Sequence, residues 1–310
     1  MNNCRSTLVT GGNGFIGRHL VRRLIGDGHA VTILQRSPIC VAGVEELIRI
    51  DPFSPDTISV ALGSRQFDWV FHLASYGVRP QDRDIEPMFR VNVDATRRLV
   101  EIASCWSPRA LVLVGTGAEY AGQGTEQPLS EDHPLEHFKL YGASKAAGTL
   151  ASTAIARARG MAFAAARIFG VYGPGEAPHR LLPSLVNGLR SMDRVSLTEG
   201  RQARDFLFVE DVVNALIMLA ECLERKPGQI IVNIATGEPI SVRTFAVSVA
   251  AAAGAAIDRL GFGDILMRPD EPMVFSGDST LMRKVTGWQP RIDLDQGIRL
   301  SIADLMSRPC

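Results

Sequence analysis

The chain has 310 residues, with Lys+Arg 33 balancing Asp+Glu 33, hydrophobic residues at 46% and charged residues at 21%. That composition can bury a sizeable core, while the lack of surplus positive charge argues against a nucleic-acid partner. No apolar run reaches the roughly 20 residues that span a bilayer, the longest candidate being the Ala-rich stretch from Ala246 to Ile257.

The N-terminus shows no apolar leader core, because Arg5 is followed at once by a strand-like run and then by glycines. The five cysteines (Cys4, Cys40, Cys105, Cys222, Cys310) have no CxxC or zinc-ligand spacing. They read as reduced thiols of a cytoplasmic protein with no metal site. His133 and His137 stand four apart, but Pro134 between them disfavours a helix that would present both on one face, so they read as loop residues.

The first strand is predicted at Ser6–Thr10 and the first helix at Phe15–Ile25, where Phe15, Ile16, Leu20, Val21, Leu24 and Ile25 fall at helical spacing. Further strands are predicted at Ala30–Leu34, Leu47–Ile50, Trp69–Leu73, Ala110–Val114 and Ala162–Ile168, with helices at Val91–Ala103 and Ser144–Arg157. Unbroken apolar strands alternating with helices predict an α/β fold, a doubly wound parallel Rossmann sheet covered on both faces. Ligands are then expected at the carboxyl ends of the strands. After about residue 168, Gly and Pro cluster at Gly170–Pro178, near Lys226–Gly228 and at Arg268–Pro272. This punctuation predicts a smaller, less regular C-terminal region that closes over the sheet. The expected division is 1–168 plus about 205–232 for the dinucleotide-binding domain, and about 169–204 plus 233–310 for substrate binding.

Between the first strand and first helix lies Thr10-Gly11-Gly12-Asn13-Gly14-Phe15-Ile16-Gly17. Gly11 and Gly14 let the backbone turn tightly against a pyrophosphate, and Gly17 permits close helix–strand packing. With Asn13, Phe15 and Ile16 these form the expected cofactor loop, capped by the positive end of the helix. At the end of the second strand, where NAD binders carry a carboxylate for the ribose, this chain has Gln35, followed by Arg36 and Ser37. A guanidinium there suits a 2′-phosphate, so NADP(H) is expected, NAD(H) being the poorer fit. Tyr141-Gly142-Ala143-Ser144-Lys145 puts a phenol and an ammonium on one helix face. The ammonium is expected to lower the phenol's pKa, making Tyr141 a general acid or base for a carbonyl/alcohol pair.

Together these residues resemble the extended short-chain dehydrogenase/reductases, in particular the nucleotide-sugar epimerase/dehydratase/reductase group. The resemblance covers nearly the whole chain. It includes Thr10–Gly17, His72-Leu73-Ala74, Asn92, Gly115-Thr116 and Tyr141–Lys145, then Arg167 to Gly175, Arg204 to Val212 and Gly287-Trp288-Gln289-Pro290. It implies Thr116, Tyr141 and Lys145 as catalytic residues and a nucleotide-diphosphate sugar as substrate. Leu73, Ala74, Ser75, Asp51 and Ile168 would join the cofactor site, and Tyr76, Thr116, Arg204 and Arg268 the substrate site. A structural ion pair between Arg204 and Asp205 stays open as the other use of that arginine.

Within the group, the 4,6-dehydratases carry an Asp–Glu pair after the catalytic Thr. Here Gly117 and Ala118 stand in its place, and Glu119, one step on, is expected to point elsewhere. Gly115-Thr116-Gly117-Ala118-Glu119-Tyr120 and His72 to Val78 look like the corresponding stretches of 4-keto-6-deoxyhexose reductases. The resemblance thus implies NADPH-dependent reduction of a C4 ketone. An NAD-dependent 4-epimerase is the alternative, and a non-catalytic dinucleotide sensor the alternative of another class. Gly170 departs from the Asn of many relatives, and a homodimer through a four-helix interface is expected by resemblance.

Overall fold

The computed structural model describes residues 4–307, other than 40, 64, 80, 123–126, 192–193 and 270. Cys40 and Cys310 lie outside the described residues, and Cys4, Cys105 and Cys222 are free thiols.

β1 (Ser6–Thr10) leads through the glycine loop into α1 (Phe15–Gly26), and β2 (Ala30–Gln35) and β3 (Glu46–Arg49) follow. α2 (Pro55–Leu62) starts at a capping box in which Ser54 and Thr57 exchange hydrogen bonds, with Pro55 in the first turn. After β4 (Trp69–His72), α3 (Ile85–Phe89) runs through a π turn at Arg90–Ala95 into α4 (Thr96–Ser104). β5 (Ala110–Thr116), α5 (Leu140–Ala158) and β6 (Phe163–Ile168) complete the regular alternation.

The chain then crosses β7 (Val171–Tyr172), α6 (Leu181–Arg190), β8 (Val195–Leu197), β9 (Ala203–Arg204) and β10 (Leu207–Phe208). α7 (Val209–Arg225) and β11 (Gln229–Ile234) return it to the main sheet, a seventh strand that the sequence reading did not name. β12 (Ile240–Ser241), α8 (Val242–Ala252), β13 (Leu260–Phe262), β14 (Val274–Phe275), α9 (Thr280–Thr286) and α10 (Leu294–Ser307) finish the fold.

The main sheet has the order β11-β6-β5-β4-β1-β2-β3 and every pairing in it is parallel. Strand residues alternate between its two faces, as a period of two requires. Val9, Ile33, Phe71 and Val112 pack with Leu20 and Leu24 of α1 and Val212 and Leu216 of α7. Leu8, Leu34, Val70 and Leu111 pack on the other face with Ile58 of α2, Leu99 and Ala103 of α4 and Ala156 of α5. Burying each large side chain contributes about 1.5–3 kcal/mol. Truncating fully buried Leu99 to Ala would cost about 2–5 kcal/mol.

A separate apolar cluster joins α6, α8 and α10 around Leu185, Val186, Phe245, Val249 and Ile298. Trp288 fastens the closing segment to α7, its Nε1–H donating to the Asp211 carbonyl at 3.0 Å. The Asp211 carboxylate accepts the Arg291 and Ile292 amides.

Several predicted boundaries move for local reasons. α5 begins at Leu140 rather than Ser144, so Tyr141 lies in its first turn. The predicted helix at Val91 is split by the π turn, where Thr96 Oγ1 donates to the Val91 carbonyl five residues back. His133 and His137 sit in a loop, each on a backbone carbonyl.

Candidate active site

The strand order reverses direction between β1 and β4, leaving a crevice at their carboxyl ends where open α/β sheets take their ligands. The glycine loop is built for close approach there. Gly11 has φ +70°, and a Cβ on it would press to 2.9 Å from the Ala74 amide nitrogen. A Cβ on Gly17 would overlap the Gly11 carbonyl, so α1 meets the loop only because that position is bare. No side chain caps α1, whose N-cap is Gly14, and its first turn carries no acidic residue. An anion therefore meets backbone N–H groups and a positive dipole end, which suits a dinucleotide pyrophosphate against Asn13, Gly14, Phe15 and Ile16.

The crevice floor is a chain of fully committed polar groups. Thr10 Oγ1 accepts the Leu73 and Ala74 amides at 3.2 and 3.1 Å, so its single proton goes to His72 Nδ1 at 2.6 Å. His72 Nε2–H then donates to Thr96 Oγ1 at 2.9 Å. Burial pushes the imidazole down to about 3, helped by the Lys145 charge, which keeps it neutral. Asn92 holds the next residues, accepting from the Ser75 hydroxyl and the Tyr76 amide and donating to the Tyr76 carbonyl and the Ser144 hydroxyl. Leu73, Ala74 and Ser75 thus form one wall whose shape is set from beneath.

At the end of β2, Gln35 is buried. Its Oε1 accepts the Asn13 amide at 3.1 Å, and its Nε2 donates to the Ser37 and Ile39 carbonyls. Arg36 is exposed and Ser37 half-buried beside it. Arg49 Nε donates to the Arg36 carbonyl, which brings a second guanidinium to this edge that the sequence reading missed. Asp51 is exposed, just beyond β3.

Three hydroxyls converge between β5 and α5. The Ser75 and Thr116 side chains lie close enough to the Tyr141 hydroxyl to favour its phenolate. Small residues make this approach possible: a Cβ on Gly142 would overlap the Ala118 carbonyl, and one on Gly77 would press into the Tyr141 ring. The sequence predicts a depressed phenol, but the structure has its pKa raised, because burial outweighs the hydrogen bonds and the Arg180 charge that oppose it. Lys145 is buried and donates from Nζ to the Val114 carbonyl at 2.9 Å, its own pKa lowered by burial.

Below Thr116 lies a buried ion pair. Glu119 is fully buried; its Oε1 accepts the Thr116 amide at 3.0 Å and its Oε2 the Arg167 Nε at 2.9 Å. Arg167 also donates to the Tyr120 hydroxyl, which in turn donates to Asn233. Thr116 Oγ1 completes a capping box by accepting the Ala118 amide. Glu119 therefore points into the protein, away from any ligand, as its spacing from Thr116 suggests. Gly117 and Ala118, which face the cavity, have no proton to transfer.

That cavity holds about 610 Å³. Thr116, Gly117 and Ala118 form one side, and Ile168, Phe169 and Gly170 continue it. Arg204 and Phe206 also line it, with Glu176, His179 and Arg180 from the segment before α6 and Val78 and Arg83 from the loop after β4. Gly170 has no room for a side chain, since a Cβ would overlap the Asp205 carbonyl. Arg204 lines the cavity, but its ion pair is with Glu271 and not with Asp205. Asp205 is buried and accepts from Thr236, Gly237 and Ser276 instead. Two expected substrate residues do not reach the cavity wall. Tyr76 turns its hydroxyl to Asp84 at 3.1 Å, and Arg268 is exposed on the loop before β14.

The model of the family described as NAD dependent epimerase/dehydratase family matches residues 7–235. The chain belongs to this family. UDP-glucose 4-epimerase of Mycolicibacterium smegmatis is 29% identical over 96% of this chain and 97% of its own. CDP-abequose synthase of Salmonella typhimurium is 28% identical over 94% and 95%. Among solved structures, MoeE5 in complex with UDP-glucuronic acid and NAD superposes with a TM-score of 0.84 at 31% identity, covering 97% of this chain and 99% of that one. The family member described here is thus an oxidoreductase-type enzyme on a Rossmann sheet, and among its described residues no helix is long and apolar enough to cross a membrane.

Proposed function

We propose that this enzyme reduces the C4 ketone of a nucleotide-linked 4-keto-6-deoxyhexose with NADPH, in deoxysugar biosynthesis. The observation that carries the chemistry is that Thr116 lines a sugar-sized cavity while its side chain, with that of Ser75, lies close enough to the Tyr141 hydroxyl to act on it. Thr116 orients the reacting oxygen by a hydrogen bond, and Tyr141 donates the proton to it from its hydroxyl. A phenol raised by burial holds that proton firmly, as an acid in the reductive direction should. Lys145 supplies a buried positive charge below the site. The nicotinamide, when bound, supplies the hydride chemistry.

Gly11, Asn13, Gly14, Phe15 and Ile16 would hold the pyrophosphate, Leu73, Ala74, Ser75, Asp51, Ile168 and Lys145 the remainder of the dinucleotide, and Arg36 with Ser37 the 2′-phosphate. Gln35 supports NADP(H), because its amide is already used by the loop and brings no negative charge. Arg204, on the cavity wall, suits the substrate diphosphate, Glu271 giving way to it. Dehydration is disfavoured, since Gly117 and Ala118 follow Thr116 without a carboxylate and Glu119 is locked to Arg167.

The second reading is an NAD-dependent 4-epimerase, favoured by the 29% identical M. smegmatis enzyme and by MoeE5. A panel of NDP-4-keto-6-deoxyhexoses with NADPH or NADH, followed at the nicotinamide absorbance band, separates the two. Consumption of NADPH with one sugar supports the reductase. Interconversion of an unoxidised NDP-hexose with no net change in cofactor overturns it for the epimerase.

The same reading divides the chain into 1–168 plus about 205–232 for the dinucleotide and about 169–204 plus 233–310 for the sugar nucleotide. It also takes the protein as a cytoplasmic homodimer. Free thiols at Cys4, Cys105 and Cys222 support the first, and exposed Leu150 on α5 and Phe89 beside α4 support the second.

A further inference from the structure

Glu176 is a cavity-lining carboxyl with one oxygen that no described residue hydrogen-bonds. The residue is 5% exposed, and its Oε2 is buried without any hydrogen-bond partner. Its Oε1 has a long contact, 3.4 Å, with Arg180 Nε, itself half in solvent, and the Gly173 backbone also lies close to the carboxyl. Native interiors seldom leave such an atom unpaired unless a ligand supplies the missing partner. Nor is the position a by-product of a loose loop. Gly173 and Gly175 on either side of Pro174 have φ of +147° and +84°, and the Glu176 amide closes the turn on the Gly173 carbonyl.

The location fixes which part of a ligand this oxygen would meet. Arg180, the partner of Glu176, is close enough to Tyr141 for its charge to favour the phenolate. The Glu176–Arg180 pair lines the same cavity as Thr116, within reach of a sugar ring held there. Arg204 with Glu271 forms a second, separate pair on the wall.

We propose that Glu176 recognises a hydroxyl of the sugar ring and, by holding the Arg180 charge, restricts the substrate to nucleotide sugars without a carboxylate. The inference rests on the nucleotide-sugar reading above and narrows it. A ring hydroxyl donates to Oε2 and removes the unsatisfied atom. Above pH 7, where Glu176 is ionised, a uronate would instead bring a second carboxylate against the first, beside an arginine that already has a carboxylate partner. Like charges that close raise each other's energy, and discrimination of this kind comes from the repulsive element as much as from the attractive one.

The test measures dissociation constants by calorimetry on the NADP(H)-loaded protein at a pH well above 7, where Glu176 is ionised, with UDP-glucose and UDP-glucuronate and their dTDP and CDP counterparts. Wild type is expected to bind the neutral sugar at least 10-fold more tightly than the uronate of the same base. Glu176→Ala should weaken the neutral sugar about 10-fold or more with NADPH affinity unchanged. Glu176→Gln should stay within about 3-fold of wild type for the neutral sugar while gaining about 10-fold or more for the uronate, because Arg180 is released to pair with it. Wild-type affinity for the neutral sugar in Glu176→Ala, or a wild type that prefers the uronate, overturns the proposal. Failure of wild type to bind any nucleotide sugar would instead refute the reading on which it rests, and that outcome is visible before any variant is made.

Discussion

Removing the charge of Glu119 should test whether the ion pair beneath Thr116 is a positioning device or a spare contact. Glu119→Gln keeps an oxygen that can accept the Thr116 amide, now 3.0 Å from Oε1, and changes almost nothing in volume. It leaves the Arg167 guanidinium, 2% exposed, without its counter-charge. Breaking a buried pair from one side costs about 3–5 kcal/mol, against a total stability of about 5–15 kcal/mol for a domain. At about 2–4 °C per kcal/mol, the melting temperature should fall by roughly 6–20 °C. Arg167→Met should be similarly harmful, since it strands the carboxylate and the Tyr120 hydroxyl. The double variant removes both charges, and its cost should fall short of the sum by about 1–3 kcal/mol. Chemical denaturation of the four proteins gives the cycle. Strict additivity, or a Glu119→Gln protein within about 0.5 kcal/mol of wild type, would refute the reasoning. Turnover of Glu119→Gln, measured well below its melting point, should stay within a few-fold of wild type. Glu119→Ala leaves the Thr116 amide without its carboxylate and should lose far more.

Three further outcomes are expected. Tyr141→Phe should lower turnover about 100-fold or more, the usual size of a lost general acid, with cofactor affinity unchanged in a fluorescence titration; wild-type turnover would remove the phenol from the chemistry. Arg36→Ala should erase most of an NADPH-over-NADH preference of roughly 10- to 150-fold, the yield of one charged hydrogen bond of about 1.5–3 kcal/mol, and a wild type that binds both dinucleotides alike would contradict it. Burial pushes Glu176 from 4.5 to about 7, so the folded protein keeps a proton that the unfolded chain gives up. The stability linked to it is fully present below pH 4.5 and disappears as pH rises through 7, about 3 kcal/mol over that window. Glu176→Gln should flatten this part of the stability–pH curve, and an unaltered curve would show that the carboxyl is ionised in the folded state.

The seven-stranded sheet was legible almost to its last strand because its signals are local. Apolar runs such as Trp69–His72 and helical stripes such as Leu20, Val21 and Leu24 announce themselves within a few residues. β11 escaped because Gln229–Ile234 follows Lys226-Pro227-Gly228, whose turn chemistry reads as the start of another loop. The glycine loop and the Tyr141–Lys145 face were readable for the same local reason. What spacing could not show was where side chains find partners far along the chain. Tyr76 looks like a wall residue until Asp84 takes its hydroxyl, and Arg204, expected at the substrate with a pair to Asp205 as the other use, meets Glu271, 67 residues on. Glu176 gave no signal at all, since an unpaired oxygen is a property of the folded surroundings and not of the residue. Lys145, read from spacing as the group that tunes the phenol, is held by a carbonyl of β5, and burial sets the phenol's behaviour instead.

The polar chain through His72 has a consequence for the traffic of protons. A relay works only if each member can take a proton from one side and pass one to the other, reversing every bond in turn. Here the sequence begins at the Leu73 and Ala74 amides, which cannot turn round, and they fill both lone pairs of Thr10. At the far end Thr96 points its proton at the Val91 carbonyl, which has none to return. The floor of the crevice is an insulator despite being made of hydroxyls and an imidazole. A proton that Tyr141 gives up is not restored along this chain, so the recharging of the phenol is separated from the polar groups that shape the crevice floor.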